Sequence, residues 1–200
     1  MAEKTKTTRQ YQQRARAEQQ DETRERITQA AVDLHGSVGP ARTSISAVAE
    51  RAGVQRATLY RYFPDDTALF AACSAHWAAA NPPPNIAAWA EIADPHARAT
   101  RALDELYAFY ERNDAMFSNL ERDESLHPAI PAQYAMFRAF LDDAADILVS
   151  GRGLKGRAAT RARGAARHAV AFGTWQSLIR DGGLRRKEAS QLMADFLELK

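Results

Sequence analysis

Residues 44–63, SISAVAERAGVQRATLYRYF, leave the backbone little choice. Ile45, Val48, Ala49, Ala52, Val54, Leu59 and Tyr62 fall where two short helices crossing steeply would touch, and Ala49 is small where the second must pass close. Gly53 stands between the two runs, where a left-handed backbone is easiest for glycine. This is helix-turn-helix spacing. The second helix then turns Gln55, Arg56, Ala57, Tyr60 and Arg61 outward. The B-DNA major groove admits one α-helix, and Arg and Gln suit base edges. Hydroxyls and helix N-termini suit phosphates, and Thr43, Ser44 and Ser46 open the preceding helix. A plain helical corner would leave Arg56 and Arg61 merely solvated. Three features weigh against it: a basic segment on the same side of the sequence, the Ser/Thr cluster, and two tyrosines on a helix too short to need all that aromatic area for its core.

The rest of the chain also reads as helix. Alanine is abundant, β-branched residues are sparse, and no stretch has the alternation of a strand. Ile27, Ala30, Ala31 and Leu34 recur at helical spacing behind Asp21 and Glu22, and HGSVGPAR ends that helix. A fourth helix is expected from about Asp65 to Ala80, until NPPP at 81–84 stops it. Asp94-Pro95 reads as an N-cap with proline at the first helical position. The helix behind it carries Ala99 to Tyr110, and a short one follows with Met116, Phe117 and Leu120. Residues 131–149 form another. An Ala- and Arg-rich helix runs on to about Ile179, Gly182-Gly183 stops it, and a last helix holds Leu192, Met193, Phe196 and Leu197. The expectation is an all-α protein of about nine helices. A flexible basic arm would cover 1–20, a helix-turn-helix domain 21–66 and a larger helical domain 67–200.

Charge separates these parts. The net charge is +2, yet residues 1–62 hold eleven Lys/Arg against seven Asp/Glu. A basic N-terminal part on a slightly acidic body points to a polyanionic partner for the first part only. The single cysteine, Cys73, excludes an intramolecular disulfide and fits a reducing compartment. No apolar run reaches the length of a membrane span, and the N-terminus lacks the apolar stretch of a signal peptide. A soluble, cytoplasmic protein is expected.

Between residues 26 and 72, RITQAAVDLHGSVGPARTSISAVAERAGVQRATLYRYFPDDTALFAA, the chain resembles the TetR family of transcriptional regulators. The resemblance lies in the alanine-rich first helix ending in a Gly-containing loop, the run TSISAVAERAGV and the run ATLYRYF. It implies that Thr43, Ser44 and Ser46 contact DNA at the start of the second helix. Gln55, Arg56, Ala57, Thr58 and Arg61 would face the groove, with Tyr60 and Tyr62 near phosphates. Two departures stand out. The family usually has a phosphate-gripping lysine at the start of the fourth helix, where this chain has Asp66, preceded by Asp65; a carboxylate would repel a phosphate. The arm's Lys4, Lys6, Arg9, Arg14 and Arg16 would compensate, lying along the backbone or entering the minor groove. His35 stands where an aromatic is usual and is read as a packed, hydrogen-bonded ring.

Beyond residue 80 the resemblance is architectural and implies a homodimer with an effector pocket. Ala158, Ala162, Ala165, Ala166, Ala169 and Gly173 keep one side of their helix thin. With Leu192 and Phe196, the residues Ala162, Ala166, Ala169 and Gly173 form the expected dimer interface; the alternative is that the alanines pack within one chain. Trp89, Tyr107, Tyr110, Phe117, Tyr134, Phe137 and Trp175 are the expected pocket for a small hydrophobic or aromatic effector, against the plain reading that each is core. Arg138, Asn113 and His168 are polar candidates to orient it. Charge runs such as LERDES read as solvated faces. The five histidines form no metal-ligand pair, Cys73 lies on an apolar face, and SGRGLKG lacks the strand and spacing of a phosphate loop. No cofactor and no enzymatic activity are expected. The chain reads as a regulator, most simply a ligand-responsive repressor on a palindromic double-stranded DNA operator; the alternatives are a helical protein-binding adaptor and a small-molecule enzyme.

Overall fold

A computed structural model describes the backbone of residues 2–198, with side chains from residue 11 onward. Among the described residues there are ten α-helices and no strand. They are α1 (Ala2–Ser37), α2 (Ile45–Arg51), α3 (Arg56–Tyr62), α4 (Asp66–Ala80), α5 (Ile86–Ala90), α6 (Pro95–Asp123), α7 (Ile130–Val149), α8 (Gly156–Val170), α9 (Phe172–Trp175) and α10 (Arg186–Phe196). A 3₁₀ turn at Pro40–Arg42 precedes α2, and a π turn at Gln176–Asp181 follows α9. The starts follow local chemistry. Ser44 and Asp65 each accept the backbone N–H three residues on, at Ala47 and Ala68. Asp94 caps α6 through Ala97 at 2.7 Å, with Pro95 next to it. These bonds satisfy N–H groups that the helix cannot.

The segment expected as a flexible arm is helical and continuous with the packed part of α1. No glycine or proline interrupts residues 2–35, and Ala, Arg, Glu and Gln all favour helix. A weak i,i+4 pair, Arg14–Glu18 at 3.5 Å, adds support. Residues 11–22 are exposed, so this length is stabilised by its own backbone bonds alone. Side chains of Lys4, Lys6 and Arg9 lie outside the described ones.

The chain divides into two compact units, Met1–Asn81 with Asn119–Ile130, and Pro82–Ser118 with Pro131–Lys200. The first compact unit thus runs on beyond residue 66. In the first unit α4 packs on α1, so the whole of α4 belongs with the helix-turn-helix, as does the last turn of α6. Its core holds Ile27, Ala31, Val48, Leu59, Phe63, Leu69 and Phe70, none more than 4% exposed. Burying a Leu or Phe of this kind stabilises by about 1.5–3 kcal/mol.

In the second unit two helices depart from expectation. The expected break before Met116 is instead a kink inside α6 at Asn113 (φ −120°, ψ 15°), whose side-chain amide donates to the Phe109 carbonyl, 2.9 Å away. The Ala- and Arg-rich helix expected to reach Ile179 breaks at Ala171, which is extended (φ −69°, ψ 142°). Three hydroxyls explain the break. Tyr107 donates to the Ala169 carbonyl (2.8 Å), Tyr110 to Val170 (2.7 Å) and Thr174 to His168 (2.5 Å). A continuing helix would pair those carbonyls with its own amides. Helix α5, between NPPP and Asp94, was not anticipated; Asn85 caps it by accepting from Ala87.

Candidate nucleic-acid interface

Helix α2 ends in a Schellman turn. The Gly53 N–H donates to the Glu50 carbonyl (3.0 Å) and the Val54 N–H to Ala49 (2.9 Å). Gly53 has φ +66°, the left-handed conformation this turn requires. The chain then re-enters helix at Arg56 with Gln55 as N-cap. Leu59 (0% exposed) and Phe63 (1%) anchor the inner side of α3, and the Arg24 guanidinium lies over the Phe63 ring at 4.8 Å. With two ends fixed and one face buried, the other face has a defined direction.

That face carries most of the expected DNA contacts. Gln55, Arg56, Ala57, Tyr60 and Arg61 are exposed, Tyr60 to 43%. Thr58 and Tyr62 are half-buried, and Arg61 lies over the Tyr62 ring at 5.3 Å. Ser44 and Ser46 are exposed at the start of α2. Because Ser44 Oγ accepts from Ala47, its own proton stays available to a phosphate. Thr43 differs from expectation. Its hydroxyl donates inward to the Gly39 carbonyl at 2.8 Å, so it orders the loop and has no proton to offer an anion. Asp65, one of the two acids where the family has lysine nearby, uses its carboxylate as the α4 cap.

A polar cluster fixes the loop before α2, and nothing local in the sequence announces it. Asn119 donates to the last α1 carbonyls, His35 (3.0 Å) and Gly36 (2.8 Å). Arg122 donates to the Val38 carbonyl (2.9 Å) and to Asn119 Oδ1 (2.7 Å). Asp123, 1% exposed, accepts from Arg122 Nε (2.7 Å) and the Ala41 N–H (3.0 Å). LERDES is thus not a solvated face throughout, since Asp123 is buried, while Arg122 beside it stays exposed. Burial pushes the Asp123 carboxyl up, but Arg122 and the Ala41 N–H outweigh it and hold it below the usual range. Gly39 (φ +96°) completes the fit; a Cβ there would collide with Arg122 Nη2 and Asp123 Oδ2.

His35 and Cys73 are core, as read from sequence. His35 is 7% exposed, with Nδ1 3.4 Å from Cys73 Sγ and its ring on Phe70, whose other neighbour is His127. Burial, helped by the charge of His127 and opposed by Asp123, lowers the His35 pKa to about 4. Burial raises the Cys73 thiol to about 12, so it is no nucleophile.

The aromatic residues expected as an effector pocket lie in the second unit. Five of the seven meet there: Tyr110, Phe117, Tyr134, Phe137 and Trp175 are linked by ring contacts of 5.0–6.4 Å, with Phe172, unread from sequence, joining Tyr110, Phe117 and Trp175. Trp89 touches Phe140 at the margin and donates its indole N–H to Glu105. Tyr107 is held by the Ala169 carbonyl. Of the polar candidates, Asn113 makes the α6 kink, Arg138 lies over the Tyr134 ring, and His168 is exposed. The expected dimer residues divide. Ala166 and Ala169 are 0% exposed within one chain, so they are core and cannot line a surface between copies. Gly173, Leu192 and Phe196 are exposed and Ala162 is half-buried.

Two short helices crossing at a left-handed glycine, the second with a buried inner face and a polar outer one, define a helix-turn-helix protein. Residues 27–73 match the family model for bacterial regulatory proteins of the tetR family. The fold agrees over most of the length. A mutant HlyIIR protein with an inserted linker bearing two thrombin sites is 19% identical and superposes with a TM-score of 0.67, over 90% of this chain and all (100%) of that one. A tetR-family regulator from Streptomyces coelicolor (20% identity, TM-score 0.60) covers 88% of this chain and 79% of its own. A TetR transcription regulator from Haloarcula marismortui (16%, TM-score 0.60) covers 88% and 96%. No curated protein matches the chain. Among the described residues no group of three or more His, Cys, Asp or Glu is placed to hold a metal, and no helix is long and apolar enough to cross a membrane.

Proposed function

We propose that this protein is a TetR-family transcriptional regulator, a ligand-responsive repressor that acts in the cytoplasm and binds a palindromic DNA operator as a homodimer. The observation that carries this is the outer face of α3: Gln55, Arg56, Tyr60 and Arg61 stand exposed on a seven-residue helix whose inner side is fully buried. In this reading Arg56 and Gln55 read base edges, while Ser44, Ser46, Tyr60 and Tyr62 meet phosphates. Two copies joined through the exposed Leu192, Phe196 and Gly173 would place two such helices ~34–36 Å apart, one turn of duplex. The long basic start of α1 supplies cations that Asp65 and Asp66 do not. Deleting residues 2–18 then lowers both duplex affinity and its salt dependence.

The last turn of α6 belongs to the first unit. That last turn holds the loop from which α2 starts. A ligand in the second unit would favour the dimer shape with the wrong spacing of the two reading helices, with a coupling of ~1–3 kcal/mol typical of such linkage. Selection of bound sequences from random DNA tests the reading; a palindrome with one-turn spacing is expected, and no enriched sequence would overturn it. Arg56→Ala relaxes sequence preference, by ~1–3 kcal/mol at one base pair. Tyr60→Phe weakens all duplexes alike. Binding that ignores salt would point to a protein partner instead.

A further inference from the structure

Within the ring cluster of the second unit the polar groups are matched with one exception. The Tyr110 hydroxyl is bound to Val170 and the nearby Tyr107 hydroxyl to Ala169. The indole N–H of Trp175, in a residue only 3% exposed, has no hydrogen-bond partner among the described residues. A buried donor left unpaired is costly and uncommon in folded proteins. The surroundings are also the most irregular in the protein. Trp175 lies between the break at Ala171 and the π turn at Gln176–Asp181, a conformation that recurs at functional sites. Its ring stacks on Phe172 (5.2 Å) and approaches Tyr110 (6.2 Å), and Tyr110 meets Phe137. Trp175 is buried, whereas Phe137 and Tyr134 on α7 are half-buried.

We infer that Trp175 Nε1 is the recognition donor for the effector, and that the effector is a neutral ring-bearing molecule with one oxygen acceptor, such as an aryl ketone. The inference rests on the proposed reading of the chain as a ligand-responsive regulator. An indole N–H donates and cannot accept, so the ligand must bring the lone pair. The rings supply apolar contact and favour a flat partner. A carboxylate is disfavoured because the guanidinium at the adjoining π turn, Arg180, is engaged by Asp114 (3.3 Å) and Ser118 (3.0 Å), and an ion among the rings would lose its hydration.

The test uses the full-length protein and a matched pair of probes, 2-acetylnaphthalene and 2-ethylnaphthalene, alike in ring and size but differing in the acceptor. Calorimetry should show the ketone binding about tenfold tighter to the wild type, as one hydrogen bond implies. Trp175→Phe, which keeps a ring, should bring the ratio to about one. In the wild type the Trp175 indole N–H resonance, assigned through its ring's contacts with Phe172, should move downfield with the ketone alone; this reading needs no variant. Equal affinities, a preference that survives Trp175→Phe, or no binding by either probe would overturn the inference. Duplex binding by the unliganded wild type is measured alongside. Its failure removes the regulator reading, whereas duplex binding without probe discrimination removes only the effector class.

Discussion

The reading head and the aromatic unit use polar groups in different ways. In residues 44–63 the polar groups that shape the backbone are close in sequence: Ser44 bonds Ala47, Gly53 bonds Glu50, and Val54 bonds Ala49. In the second unit they are distant. Tyr107 and Tyr110 end α8 from 62 and 60 residues away. The head is therefore a preformed tool whose shape depends little on its surroundings, while the course of α8 and α9 depends on what α6 places beside them. The Asn119–Arg122–Asp123 cluster carries the same kind of distant bond into the head's own unit, at the loop before α2.

Substitutions can break this comparison. The largest effect is expected for Gly39→Ala, which must relieve a collision with Arg122 and Asp123 and also hold a left-handed backbone. A loss of roughly 3 kcal/mol is expected from the strain and the broken polar cluster, visible in denaturant melts, with duplex affinity falling at least as far. If Gly39→Ala melts like the wild type, the cluster does not hold the loop.

Acid should come next. His35 is neutral when folded and titrates near 4, below its ordinary value of 6.5. Between those values the unfolded chain binds the proton and the folded one does not, so stability is full above about pH 6.5 and falls as the pH drops toward 4. The loss approaches roughly 3 kcal/mol at the lower end. Melts from pH 7 to 4 of the wild type and His35→Gln check this; the variant should lose that part of the slope.

Tyr110→Phe removes the hydroxyl from the Val170 carbonyl and should cost about 1–2 kcal/mol. It should also let α8 run on past Ala171, which backbone chemical shifts would report. Gly53→Ala is the smallest. A Cβ there meets nothing within 4 Å, so only the backbone penalty applies, about 1 kcal/mol. The contrast with Gly39 sharpens the comparison, because both glycines are left-handed and only one is wedged by a distant element.

The sequence alone determined the all-α class, the cap at Asp94, the turn at Gly53 and the outward face of α3. Each depends on residues within one or two turns of one another, where spacing and side-chain chemistry act directly on the backbone. It also marked Cys73 as core, from its place on an apolar helical face, and the family resemblance marked His35, which stands where an aromatic is usual. Tertiary structure decided the rest. It buried Ala166 and Ala169, turned the Thr43 hydroxyl inward, broke the helix at Ala171 and drew Asp123 out of a charge run into a cage of donors. It placed α4 in the first unit because that helix finds its partner in α1. Those outcomes depend on which distant group arrives first at an unpaired carbonyl or an apolar face, and a short window of sequence holds only one of the two partners.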